Sequence, residues 1–277
     1  MTLLEFPIYK LIIVFLTIFF AGLVDSIAGG GGILSIPAYL FLGLPGHMVL
    51  GTNKFSSSFG TLFATLRFAI SKKINWIIGI ISVVFALLGS TIGSRLVLLI
   101  PVNFIKILLI ILIPIITIIT LLPKKQNNKS PKQEVNFLKT NEGLISHNEY
   151  SNKKFTIYLI TAISSLIIGM YDGFFGPGTG TFFILVYTAL LHFDMTTSSA
   201  NAKVVNLSSN IAALITFLIY KKVFILLGII CAIFSILGNL LGSSLAIKKG
   251  SKVIRPFFIL ALLLLFSKVV YDLFFIR

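Results

Sequence analysis

Two lysines and two aspartates stand in stretches of this chain that are otherwise apolar. Lys54 and Lys203 lie within GTNKFSSSFGTLFATLRF (51–68) and SANAKVVNLSSNIAALITF (199–217), each beside an asparagine, Asn53 or Asn201. A lysine at the middle of a membrane helix costs about 2.5–3.5 kcal/mol on insertion scales, so its retention asks for a role. Spacing sets Asn53, Ser57 and Gly60 on one helical face at i, i+4 and i+7, and Lys203, Asn206 and Asn210 on another at i, i+3 and i+7. Two such seams facing each other would present ammonium and amide donors to an oxyanion. The plainer alternative is that both lysines are helix-end anchors whose charged heads reach toward the nearer interface.

Asp25 and Asp172 precede the other irregular feature, the glycine runs GGGG (29–32) and GPG (176–178). Neither run can continue a regular helix, so backbone N–H and C=O groups lose their internal partners there. Inside a bilayer such backbone must line a polar cavity or be covered by protein. Helices that restart near Ile33 and Thr181 would aim free N–H groups at that cavity, an anion site in geometry and charge. Gly31, Gly32, Gly178 and Thr179 are therefore binding candidates together with Asn53, Lys54, Ser57, Asn201, Lys203 and Asn206. The two carboxylates are candidates for taking up and releasing a coupling proton. They could instead pair with the lysines and lock the helices.

The elements that must position these residues are membrane helices. Of 277 residues, 57% are hydrophobic and 11% charged, against roughly 25% charged in a soluble domain. Both a water-soluble fold and a disordered chain are excluded by that balance. Eight apolar runs are long enough to cross a ~30 Å hydrocarbon core: 8–28, 47–70, 74–98, 102–122, 155–175, 195–220, 222–247 and 253–276. Two shorter ones, 33–44 and 180–192, follow the glycine breaks and are expected to be re-entrant or broken helices. The first run is too long for a cleavable signal and carries Asp25 where cleavage would fall. The fold class is thus an all-α integral membrane protein with about eight transmembrane helices, two short ones and two structural repeats. Residues 1–122 form the first repeat, 123–154 a polar linker rich in Lys, Asn and Ser, and 155–277 the second repeat.

The duplication is read directly. At an offset of 147, Gly22, Asp25, Gly29 and Gly31 match Gly169, Asp172, Gly176 and Gly178. At 149, Lys54, Phe68, Lys72, Lys73 and Lys106 match Lys203, Phe217, Lys221, Lys222 and Arg255. Gly89 and Gly93 match Gly238 and Gly242, a small-xxx-small spacing that lets helices approach closely. Two copies around a linker point to a transporter or channel with its site between the halves. Whether the halves run parallel or inverted, cations divide 13 to four in favour of the linker's face, which makes the linker cytoplasmic. Inverted halves are expected, because broken helices meeting at mid-membrane recur in that arrangement. Both termini would then be outside.

The net charge of +15 gathers between apolar runs and reads as loop anchoring, not as a nucleic-acid surface. Arg67 and Arg95 read as interface anchors, His47 and His192 as interfacial, and His147 as solvated in the linker. No catalytic residues, metal ligands or cofactor are expected: the histidines are scattered, Cys231 is the only cysteine, and GGGG lacks the Lys-Ser/Thr and the strand of a nucleotide loop.

Taken together, AGLVDSIAGGGGILSIPAYL, GTNKFSSSFGTLFATLRF, GMYDGFFGPGTGTF and SANAKVVNLSSNIAAL resemble the TauE/SafE family of membrane permeases, the sulfite-exporter type, over nearly the whole chain outside the linker. The resemblance implies transport of small sulfur-containing anions, such as sulfite or sulfoacetate, across the bacterial inner membrane with coupling to the proton gradient. It places the polar signature on Asp25, Asn53, Lys54, Asp172, Asn201, Lys203 and Asn206. The partners expected are therefore a small anionic solute, the lipid bilayer and the proton gradient, with self-association left open. A passive anion channel and a cation-coupled carrier of another metabolite are the alternatives.

Overall fold

A computed structural model describes residues 3, 6–101, 147–250, 252, 253 and 256, with backbone alone for 147–153. Eight helices are present among them, and no strand: α1 (Ile8–Ala28), α2 (Gly32–Phe41), α3 (Gly46–Ile70), α4 (Trp76–Leu98), α5 (His147–Phe174), α6 (Thr179–Ala189), α7 (Met195–Ile219) and α8 (Ile225–Lys249). Five are long and apolar enough to cross a membrane: α1, α4, α5 from Lys154 onward, α7 and α8. α3 has the same 25 residues as α7 and α8, but its Asn, Lys, Ser and Thr positions lower its hydropathy. α2 and α6, of 10 and 11 residues, reach only about 15 Å, half of a hydrocarbon core. Segment 102–122, all of 253–276 but residues 253 and 256, and the linker up to 146 lie outside the described residues. α5 begins at His147, so the last eight residues assigned to the linker are helix, as expected of a stretch without Pro or Gly. The surroundings of the His147 side chain are also outside the described residues.

The side chains are sorted inside out relative to a soluble protein. Ile225, Ile229, Ile233, Leu237 and Leu241 form an exposed row along α8, and α4 carries a similar one at Ile77, Ile80, Val84, Leu88 and Ile92. The interior holds Ser26, Thr52, Asn53, Lys54, Asp172, Asn201, Lys203, Asn206 and many further hydroxyls. An apolar exterior around an interior that mixes these polar groups with packed apolar clusters is a distribution that lipid permits.

Small residues set the helix pairs. α1 lies on α8, where a Cβ at Gly22 would come 2.7 Å from the Ser235 carbonyl oxygen. α4 lies on α5, where a Cβ at Gly169 would come 2.7 Å from the Ala86 Cα. Along the first pair the contacts ascend together, from the Phe15–Phe234 stack at 5.2 Å to Gly22–Ser235 and then Ser26–Gly242, so the helices are parallel. The same reasoning makes α4 and α5 parallel (Ala86–Gly169, Ser90–Gly173, Gly93–Phe174), as are α3 with α8 (Gly51–Lys222, Phe55–Gly228, Gly60–Ser235) and α4 with α7 (Gly79–Asn201, Ser90–Ser209). α3 and α7 run antiparallel, with Lys54 beside Asn210 and Gly51 beside Phe217. Hence α1, α3 and α8 point one way and α4, α5 and α7 the other. Exchanging α1–α4 for α5–α8 turns the α1–α8 pair into α4–α5 and α3–α8 into α4–α7, and returns α3–α7 to itself.

The breaks meet at the centre of this arrangement. Gly29 ends α1 with φ 80°, and Gly176 and Gly178 connect α5 to α6 with φ 95° and 79°. A Cβ on Gly180 would lie 2.5 Å from the Gly29 Cα, so the two breaks touch at a point where only glycine fits. Thr181 Oγ1 donates to the Ala28 carbonyl at 2.9 Å and Ser199 Oγ to that of Ile27 at 3.2 Å, which satisfies the open end of α1.

Candidate functional site

Lys54 and Lys203 are each the ninth residue of a 25-residue helix, α3 and α7. They therefore sit more than two turns inside, and neither reaches a helix end: side-chain exposure is 3% and 0%. The helix-end-anchor alternative does not hold for either. Each ammonium instead meets the aspartate of the opposite half. Lys54 Nζ lies 2.7 Å from Asp172 Oδ2, and Lys203 Nζ lies 2.7 Å from Asp25 Oδ2. Two buried charges of opposite sign at this distance cancel locally, which offsets much of the desolvation cost of each.

Further hydrogen bonds hold the pairs. Lys54 also donates to Asn210 Oδ1 at 2.9 Å, and Ser209 Oγ donates to Asp172 Oδ2 at 2.6 Å. Asp25 Oδ1 accepts from the Gly31 N–H at 3.4 Å, so the buried N–H that opens α2 faces a carboxylate of the chain itself. Asn53 Oδ1 accepts from Ser35 Oγ at 2.6 Å and Ser57 Oγ at 3.5 Å.

Between the pairs lies a narrow cavity lined chiefly by polar groups. Asp25, Asn53, Lys54, Asp172, Asn206 and Asn210 surround it together with Ser57 and the backbone of Gly29, Gly32 and Gly176. It has room for a water molecule or two, so the conformation is closed to a larger solute. Asn206 Oδ1 is buried there without a hydrogen-bond partner.

Several expected residues are placed elsewhere. Asn201 donates to the Thr197 carbonyl at 2.9 Å, and its Oδ1 approaches Gly79 of α4. It therefore faces the α4–α7 contact and not the cavity: two residues along a helix is roughly half a turn away from Lys203. Gly60, expected on the face of Asn53, is covered by Ser235 and Asn239 of α8. Gly31 borders a second cavity on the α1–α8 side. Gly178 caps α6, and Thr179 Oγ1 is used in a 2.7 Å bond to the Gly176 carbonyl. Lys203 touches the site through Asp25. His47, expected at an interface, is 6% exposed with Nε2 3.1 Å from the Val97 carbonyl oxygen, because it begins α3 beneath the end of α4. His192, Arg67 and Arg95 are exposed. Ser209, Asn210 and Ser35 complete the site without having been singled out as site residues. The NLSSN run (206–210) carried the signal for the first two, since Asn210 lies one face-repeat beyond Lys203.

Among the described residues no group of three or more His, Cys, Asp or Glu could hold a metal ion. The chemistry available is charge pairing and hydrogen-bond donation.

The model of the family described as Sulfite exporter TauE/SafE matches residues 14–269. A "Probable membrane transporter protein" of Haemophilus influenzae is 34% identical over 273 residues, covering 97% of this chain and 98% of its own. "Probable membrane transporter protein ORF9" of a Sinorhizobium species is 32% identical, covering 97% and 95%. "Probable membrane transporter protein YfcA" of Escherichia coli K12 is 30% identical, covering 94% and 89%. No solved structure matches the chain. An apolar helical shell, buried polar groups at its centre and similarity running nearly end to end agree: the chain is a multi-pass membrane protein and belongs to the Sulfite exporter TauE/SafE family of membrane transporters.

Proposed function

We propose that the chain is a secondary active transporter of a small anion, a sulfur oxyanion or organosulfonate such as sulfite or sulfoacetate, coupled to protons. The observation that carries this reading is the exchanged pair of ion pairs beside the cavity, Asp25–Lys203 and Lys54–Asp172. Each pair is neutral as it stands. When a carboxylate takes a proton, its lysine is left with an unbalanced positive charge in a low-dielectric setting, and a monoanion restores neutrality. The lysine thus serves its aspartate and the anion in turn, and the proton and the anion arrive together. Amide groups of Asn53, Asn206 and Asn210 would orient the anion's oxygens. We carry Gly32 forward with them as cavity lining.

The opposed directions of α1 and α5, α3 and α7, and α4 and α8 support inverted repeats related by an axis in the membrane plane. Lys72, Lys73, Lys154, Lys248 and Lys249 fall at one end of the bundle, and Lys10, Lys221 and Lys222 at the other. By the positive-inside rule the first end is cytoplasmic, with the start of α1 outside and the bacterial inner membrane as the setting. The closed cavity at the touching breaks is the occluded form that alternating access requires.

The test is flux into liposomes containing the purified chain, with labelled sulfite and sulfoacetate, and acetate as a carboxylate comparison. Under an imposed pH difference, the sulfur anions should accumulate above their external concentration, and a protonophore should abolish the accumulation. Movement only down the concentration gradient would identify a channel. Accumulation of acetate with no movement of either sulfur anion would refute the substrate class.

A further inference from the structure

Asp25 and Asp172 hold matched positions in the repeat, yet their surroundings differ. The Asp25 side chain retains 13% exposure and that of Asp172 3%. Asp172 is held by a 2.6 Å bond from Ser209 in addition to Lys54, whereas Asp25 adds to Lys203 a long 3.4 Å bond from Gly31. Asp25 also borders both cavities. The second one lies between α1, α3 and α8 and is lined by Ser35, Ser56, Ser57 and Ser235, with Ile18 and Gly22 along α1. It extends from Asp25 back to Ile18, about 10 Å toward the beginning of α1. It has room for about one water molecule, and each hydroxyl can accept one proton while donating another.

The other half does not repeat this lining. At the repeat offsets of 147 and 149, Ser35, Ser56 and Ser235 fall on Phe182, Val205 and Ala86, and Ser57 falls on Asn206. A phenyl ring, an isopropyl group and a methyl group replace three hydroxyls. Val205 and Ala86 are fully buried. Ser165 stands where Ile18 does, so the lining beside Asp25 carries four hydroxyls and the matched positions carry one.

We propose that Asp25, and not Asp172, is the group that loads and unloads the coupling proton, by way of the serine-lined cavity between α1, α3 and α8. This rests on the proton-coupled reading above. A hydronium ion at the outer end gives its proton to a carboxylate oxygen of Asp25 and becomes water. The Lys203–Asp25 ion pair is lost, and Lys203 remains an ammonium that the incoming anion neutralises. On the other side the anion leaves, the proton returns to water, and the ion pair forms again. The charged groups around Asp25 are Lys203 from α7, Lys54 from α3 and, across the first cavity, Asp172 from α5. Around it α2, α6 and α8 bring Ser35, the Gly180–Thr181 backbone and Ser235, and the titratable Tyr39 of α2 reaches Ser56 at 2.8 Å with Cys231 of α8 beside it. Asp172 keeps its charge and its lysine throughout, holding α3 against α5.

The experiment is infrared difference spectroscopy of the reconstituted protein between mildly alkaline and mildly acidic buffer, reading the protonated-carboxyl C=O band. It is recorded in the presence and in the absence of sulfite, because the anion neutralises the lysine that protonation strands. Removing one charge of a buried pair endangers folding, so the variants remove both: Asp25→Asn with Lys203→Met, and Asp172→Asn with Lys54→Met. The expected result is complete loss of one carboxyl's share of the band in the first variant and retention in the second. Loss in the second variant alone, or retention in both, overturns the proposal. Sulfite accumulation by the intact protein without such a band would overturn it while leaving the anion transporter in place.

Discussion

Replacing Lys54 with methionine keeps the length of the side chain and removes its charge. Asp172 would remain 3% exposed with the Ser209 hydroxyl as a surviving donor. Breaking a buried ion pair from one side costs about 3–5 kcal/mol, because the remaining charge is uncompensated. For a chain of this size a kilocalorie shifts the melting midpoint by about 2–4 °C, so Lys54→Met should fall by roughly 6–20 °C. Adding Asp172→Asn removes the orphaned charge and should recover most of that loss. On the other pair the order depends on which partner is left. Asp25→Asn strands Lys203 at 0% exposure, whereas Lys203→Met leaves Asp25 at 13%, so the first substitution should be the more damaging. The assay is retention of the monodisperse peak on size-exclusion chromatography after stepwise heating in detergent. A Lys54→Met protein melting within about 2 °C of the parent, or a double variant as unstable as the sum of its singles, would refute the coupling.

Two further predictions address the frame around the site. Lys72 and Lys221 are matched, exposed and both in the left-handed region at φ 53° and 55°. As cysteines they should label with a membrane-impermeant maleimide from opposite sides of the membrane, the native Cys231 being buried. Labelling from the same side would rule out inverted halves. Gly93→Leu and Gly238→Leu place side chains against the Met170 and Phe19 carbonyls, so each should separate a helix pair and sharply reduce the yield of folded protein. Parent-level yield of either variant would show that these helices are less close than described.

The helix starts and ends lay close to those read from composition, within about three residues for seven of the eight helices, because Pro, Gly and loop lysines punctuate them. Duplication made the site legible: Asp25 and Lys54 acquired weight through Asp172 and Lys203. Partner choice was not legible. Each lysine crosses to the other half, and nothing in a linear repeat distinguishes that from pairing within a half. Asn201 shows a second limit, since adjacency in sequence to Lys203 suggested a shared task while helical rotation turns the two apart.

The 178 residues between Asp25 and Lys203 also set a waiting time. At a synthesis rate of about 5–20 residues per second, roughly 10–35 s pass between the emergence of the aspartate from the ribosome and that of its lysine. Over that interval α1 has neither its countercharge nor α8, the neighbour against which Gly22 fits. A newly inserted first half is therefore an unfinished object in the bilayer until the rest of the polypeptide arrives.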